Sequence, residues 1–399
     1  MPRITDIRCI LLSSPYADAE DPEIKKCFPN GPKRTIGMVE VTLDNGVTGL
    51  GEGYLAVFAP LVFESIVELC APQVIGKDGH DIAARVRNLR SLCDYWSLQG
   101  AARHVIAAFE TALQDAKGKG LGVPVYDLLG GDQADAITIY GSGGCCDVKQ
   151  QFLLELDLLD RLGIKKYKIR ASKADIFRTA WALEEAGRRG IEVGVDMCQN
   201  LADPPQEVDD VVKYVEAVHG LTDHRMIFVE EAIGPDAPEQ FKQLRSRIEV
   251  PVCGGEIITT PKEMIERVNN HVYDFVQPDA SVMGGISALM DVFEAARAQA
   301  IPVVVHAWGG AAAIMANYHA AFAGGGELVE FPMLDFPLSR DMMGDQAKIE
   351  DGALVRPTAP GLGLTLTPEM EARYVFDETA VYSCALIDTD PVPDAYWTR

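Results

Sequence analysis

The chain has 399 residues, with 36 Lys+Arg against 59 Asp+Glu and a formal net charge of -23. A chain this acidic repels phosphate backbones and anionic bilayer surfaces, so small molecules, cations or other proteins are the expected partners rather than nucleic acid or membrane. With 48% apolar residues it has ample core for two domains or one large barrel, and no apolar run reaches the length that spans a bilayer. The nine cysteines are scattered and odd in number, and residues 1–20 carry only a short apolar run at 9–12. Free thiols in a reducing compartment, without a signal peptide, predict a cytoplasmic protein.

In chain order, residues 36–43 alternate Val39, Val41, Leu43 with Met38, Glu40, Thr42, the period of a half-buried strand. Asp44-Asn45-Gly46 supplies a hairpin turn into a second strand at 47–54. Helical patterns follow at 58–75, 81–96 and 101–118, the last closed by Gly118 and Gly120. This first third reads as a small α+β unit.

From about residue 136 short β-branched or aromatic runs alternate with amphipathic stretches. The runs are 137–140, 165–170, 191–196, 226–230, 250–254, 273–277, 301–306 and 327–331. Eight such units in about 200 residues predict a parallel α/β barrel. A doubly wound nucleotide-binding sheet is the rival, but no G-x-G-x-x-G turn follows the first strand.

The C-terminal ends of these runs carry Lys168 and Arg170, then Asp196, Glu230, Glu256, Asp279, His306 and Glu330. Successive steps from Arg170 are 26, 34, 26, 23, 27 and 24 residues, each about one βα unit. All of these groups therefore fall on the rim where such barrels hold their active sites. Asp196, Glu230 and Glu256 on consecutive strands would repel one another without a cation, and an all-oxygen set suits Mg²⁺ first and Mn²⁺ second. Asp279 is placed to bond one nitrogen of His306, leaving the other to move protons. Lys166, Lys168 and Arg170 share one strand face, which predicts cations inside the barrel with anionic partners.

With these residues in view, the sequence resembles the enolase superfamily, in its mandelate racemase and muconate lactonizing group of acid-sugar enzymes. The hairpin with Gly51-Glu52-Gly53 is similar to that family's capping domain, and residues 122–131 resemble the connector into its barrel. Lys168-Ile169-Arg170 stands at its Lys-x-Lys motif, Asp279 and His306 at its Asp-His dyad, and Pro360-Gly361-Leu362-Gly363 at the segment that returns to the capping domain.

The resemblance implies a modified (β/α)7β TIM barrel at 131–344, and an α+β capping domain from 1–130 plus about 345–399, with a substrate lid at about 16–35. It implies Asp196, Glu230 and Glu256 as Mg²⁺ ligands and His306, Asp279, Lys168 and Arg170 as the catalytic set. Glu330, Trp308, Lys168 and Arg170 would contact substrate, together with a cation of the lid: Lys25, Lys26, Lys33 or Arg34. A homo-oligomer, dimer or octamer, is the family-level expectation. The shared first step is removal of the proton α to a carboxylate, with a metal and a lysine holding the carboxylate.

Two residues depart from the family's pattern: Arg170 replaces a lysine that commonly serves as base, and Ala232 replaces a proline, which leaves Glu230 preferred over Glu231 as ligand. With one face equipped by His306, dehydration of an aldonate or aldarate to a 2-keto-3-deoxy acid is the expected reaction. A racemase, epimerase or lactone cycloisomerase is the alternative, and a binding barrel without turnover the last.

Overall fold

The computed structural model describes residues 1–17, 31–131, 134–145, 147–380, 382 and 394–398. It opens with an antiparallel sheet of β1 (Ile4–Pro15), β2 (Lys33–Leu43) and β3 (Thr48–Glu52), with β2 in the centre. The sequence reading passes over β1, keeping only its apolar run. The reason is that β1 is covered on both faces. Ile7, Cys9 and Leu11 pack on the capping-domain core, while Ile10 and Leu12 join the barrel core, so no clean polar alternation survives.

Two helices, α1 (Pro60–Cys70) and α3 (Ala101–Leu121), pack on this sheet, and α2 (Ile82–Cys93) packs on α3. The expected single helix at 58–75 is broken, because Pro60 starts a new helix and residues beyond Cys70 tighten into a 3-10 turn containing Pro72. Helix α3 runs three residues past its expected end and stops at Gly122, which takes the left-handed conformation at φ 73°. It lies directly on β3: a Cβ at Gly49 or Gly51 would stand 2.1 Å from a backbone oxygen of α3. Only glycine permits that approach.

The second body alternates strands and helices. Its strands are β4 (Ala136–Ser142), β5 (Lys166–Arg170), β6 (Glu192–Asp196), β7 (Val229–Glu230), β8 (Val252–Gly254), β9 (Phe275–Val276) and β10 (Leu328–Pro332). Around them lie α4 (Lys149–Leu162), α5 (Ile176–Gly187), α6 (Val208–Leu221), α7 (Pro238–Arg245), α8 (Pro261–Asn269), α9 (Ile286–Ala298) and α10 (Ala311–Gly324).

The parallel ladder runs from β4 to β9, and β10 returns to pair with β4. Between β9 and β10 the expected strand at 301–306 makes only single bridges, Val276↔Val303 and Val305↔Val329, so no continuous ladder closes the ring there. Inside, Phe228 stacks edge-on with Tyr140 and Phe275 at 5.9 and 5.6 Å, and Gly194 leaves room for the Phe228 ring. This aromatic layer fills the barrel below Lys168.

The C-terminal segment visits both bodies. A hairpin of β11 (Ile349–Glu350) and β12 (Ala353–Val355) pairs antiparallel with β4. The chain then crosses to α3, where Leu362 N donates to Asp115 Oδ1 at 2.7 Å, and to β1, where Arg8 forms a two-pronged bond with Glu371.

Candidate active site

Parallel register sets the site. Arg170 is opposite Asp196 and Asp196 opposite Glu230, so the ends of β5, β6 and β7 form a row of charged groups. One carboxylate oxygen each from Asp196, Glu230 and Glu256 lies within 4.8 Å of the others. Burial raises the Glu230 carboxyl, with Asp196 and Glu256 adding to the rise and Lys168 opposing it. Three hard oxygen donors so close together, and so little solvated, fit a divalent cation with further positions open. Asn200 Nδ2 donates to Glu256 Oε1 at 2.7 Å, Gln277 Nε2 to Glu230 Oε2 at 2.6 Å and Cys198 N to Asp196 Oδ1 at 2.9 Å. These bonds orient each carboxylate of the trio.

Glu231 is turned away from that centre. Its backbone sits at φ 42°, and its Oε1 accepts from Gly255 N at 2.6 Å. The conformation sends Glu230 and Glu231 to different sides of the strand end, with Glu230 in the trio.

Lys168 is fully buried, with Nζ 2.5 Å from Glu230 Oε1, 2.9 Å from Glu330 Oε1 and 3.9 Å from Asp196 Oδ2. These carboxylates outweigh burial and hold it protonated well above the usual lysine range. Lys166, expected inside with it, instead pairs with Glu192 at the partly exposed lower end of the strand. Arg170 donates through Nη1 to Gly143 O at 2.9 Å, stands 3.7 Å from Asp196 through Nε, and lies 4.7 Å from the centre of the Trp308 ring.

His306 Nδ1 is 2.7 Å from Asp279 Oδ2, while Nε2 faces Glu256 at 3.4 Å and Glu330 at 3.6 Å. The other oxygen of Asp279 accepts from Ser281 N, Ser281 Oγ and Asn317 Nδ2. Asp279 is thus fixed before it fixes the imidazole. Burial opposes charge on His306, but Glu330, Glu256 and then Asp279 push its pKa up to about 10. A cation on the trio would oppose that pull. Glu330, held down to about 2 despite burial by Lys168 and His306, also accepts from Ala307 N at 3.0 Å.

The four cations expected at the lid separate. Lys25 and Lys26 lie outside the described residues. Lys33 and Arg34 begin β2, and Lys33 points outward to Asp377 at 2.9 Å. Arg34 is buried, donates to Tyr54 Oη at 3.0 Å, and has the rings of Tyr54, Trp308, Phe336 and Tyr382 within 5.5 to 5.9 Å. It forms no ion pair among the described residues. Trp308 therefore touches two guanidinium groups, Arg34 from the capping sheet and Arg170 from the barrel. A cavity of about 390 Å³ opens beside Arg170, lined also by Arg178, Cys198 and Trp397. Sequence reasoning missed Tyr54 and the C-terminal Trp397, whose places depend on contacts remote in sequence.

Fold and site together define a capped α/β barrel with a carboxylate trio, a buried lysine and an Asp-His pair on one rim. Residues 24–130 match the mandelate racemase/muconate lactonizing enzyme N-terminal domain, and residues 154–370 match the enolase C-terminal domain-like family. The chain belongs to this mandelate racemase/muconate lactonizing branch of the enolase-like proteins.

It is 26% identical over 341 residues to arabinonate dehydratase of Saccharolobus solfataricus, covering 83% of this chain and 88% of that one. In fold it is similar to the 3,6-anhydro-D-galactonate cycloisomerase of Zobellia galactanivorans, with TM-score 0.81, 22% identity and coverage of 93% and 99%. It is also similar to L-talarate dehydratase of a Polaromonas species, complexed with Mg and L-glucarate, with TM-score 0.77, 22% identity and coverage of 93% and 97%.

Proposed function

We propose that the protein dehydrates an acid sugar, an aldonate or aldarate, to a 2-keto-3-deoxy acid, with Mg²⁺ on Asp196, Glu230 and Glu256. The observation that supports this most is the convergence of that trio, Lys168 and the His306–Asp279 pair on one rim. When bound, the cation supplies fixed positive charge for the substrate carboxylate, whose oxygens gain electron density as the α-proton leaves.

Lys168 adds a second fixed charge beside the same carboxylate. His306 Nε2, free of the Asp279 bond, takes the α-proton, and Asp279 holds the ring in the orientation this needs. The electron pair left at the α-carbon forms the new double bond as the β C–O bond breaks. The β-oxygen leaves with the proton from His306 as water, and the enol product tautomerises to the ketone. Arg170 orients substrate as a permanent cation above Trp308. A racemase would need a proton-transfer group on that second face, where Arg170 is a poor acceptor and Lys168 is committed to Glu230 and Glu330. Arg34, boxed in rings and with no ion pair among the described residues, meets the far end of the substrate.

The test is incubation of the Mg²⁺ protein with a panel of aldonates and aldarates. Keto product is followed by semicarbazide absorbance, and α-proton exchange in D₂O by NMR. Keto product with some member of the panel is expected; exchange without it would replace the dehydratase by an isomerase. His306→Asn should lose both signals by about 100-fold or more, and retained exchange would assign the base elsewhere.

A further inference from the structure

Two acids of the capping domain are buried against barrel backbone. Glu52, at the end of β3 and 1% exposed, accepts from Gly310 N at 2.7 Å and Ala313 N at 3.2 Å. Glu110, on α3 and fully buried, accepts from Ile286 N at 2.8 Å and from Ser287 N at 3.2 Å. Three of those amides lie in the first turns of α10 and α9, and the fourth, Gly310 N, belongs to the cap residue of α10. Neither helix has a side-chain cap of its own, and each has glycine at the cap position, Gly310 and Gly285.

The glycines are what admit the foreign acids. A Cβ on Gly310 would stand 2.7 Å from Glu52 Oε2, and one on Gly285 would stand 2.3 Å from Glu110 Oε2. A carboxylate at a helix N-terminus satisfies free amides and the positive end of the helix.

The two capped helices follow the barrel segments that carry the dyad. Helix α10 begins just after His306, Ala307 and Trp308, and its Asn317 donates to Asp279 Oδ1 at 2.9 Å and accepts from Ala280 N at 2.8 Å. Helix α9 begins just after the Asp279 turn. We propose that Glu52 and Glu110 are positioning residues for proton transfer: by capping barrel helices across the domain boundary, they lock the loops that set His306 against Asp279.

This rests on His306 and Asp279 being the working pair. Wild-type protein that turns over no acid sugar would remove that reading, whereas the amide measurement below tests the capping without substrate. In Glu52→Ala, hydrogen exchange by mass spectrometry should quicken in peptides covering 306–318, and in Glu110→Ala in those covering 280–292. Unchanged exchange in both overturns the proposal.

Both variants should keep wild-type affinity for Mn²⁺ while kcat for α-proton exchange falls by about 10- to 100-fold with little change in KM. Mn²⁺ affinity falling in step would instead mean that the acids simply hold the fold.

Rescue separates capping from any other role of Glu52. Gly310 has φ -90° and ψ -171°, which serine adopts freely as an N-cap, and the Ile36 methyl, 3.0 Å from the new Cβ, is the neighbour beside Glu52 that must give way. The double variant Glu52→Ala/Gly310→Ser should recover slow exchange and most of kcat, while Gly310→Ser alone should be impaired by displacing Glu52. A double variant no better than Glu52→Ala sinks the proposal.

Discussion

Arg34 shows how one residue acquires meaning from its surroundings. In sequence it is the last of four cations in a segment punctuated by proline and glycine. In the fold it is a buried guanidinium enclosed by four aromatic rings, sharing the Trp308 indole with Arg170. Stacking stabilises the cation without neutralising it, so it remains able to pair with an anion that enters from outside. If Arg34 reads the far end of the substrate, Arg34→Gln should raise KM by about 10-fold or more for six-carbon diacids and change it little for the matching monoacids. Equal effects on both would show that Arg34 serves the rings rather than the ligand. The sequence alone could not choose among the four cations, because the choice is made by Tyr54 and Tyr382, 20 and 348 residues away from Arg34.

At the scale of elements, the barrel strands were legible because parallel register puts every strand end on one rim. That is why Asp196, Glu230, Glu256, Asp279, His306 and Glu330 could be placed by their spacing. What escaped was any element held from two sides, such as β1, and any carboxylate that binds backbone of another domain, such as Glu52, which leaves no local pattern. The Glu52 cap has a measurable pH signature. Burial lifts its carboxyl from 4.5 to about 7, against its bonds to Gly310 and Ala313 and the nearby Arg34, with Asp279 adding to the rise. A carboxyl that holds its proton more tightly when folded stabilises fully below the unfolded pKa and loses that contribution as pH rises to the folded one. Relative to Glu52→Gln, the unfolding free energy of the wild type should therefore decline between pH 4.5 and about 7 and level off above it. Denaturant titrations across that range check this, and a constant difference would mean that the carboxylate is already ionised in the folded protein.

For the whole molecule, the excess of acids becomes most costly where it is buried. Lys168 and Arg170 balance part of the charge on the rim, and a divalent cation on Asp196, Glu230 and Glu256 would supply the rest. Mg²⁺ that binds only the folded state should stabilise it by about 2.7 kcal/mol at 100 times its Kd, a shift of a few degrees in Tm. That shift should vanish in Glu230→Gln and survive in Glu231→Gln, since Glu231 turns its carboxylate to Gly255. The reverse result, read by differential scanning calorimetry, would exchange the two glutamates.

The aromatic layer of Tyr140, Phe228 and Phe275 makes the barrel a vessel with one mouth. In the proposed reaction metal ion and sugar acid would then leave by the same route, and whichever binds outermost would govern the other's escape. A ligand seated above the trio would act as a stopper. Radioactive Mn²⁺ held beneath a bound product should wash out more slowly than from the free protein, which makes trapped metal a reporter of occupancy even for a sugar that never reacts.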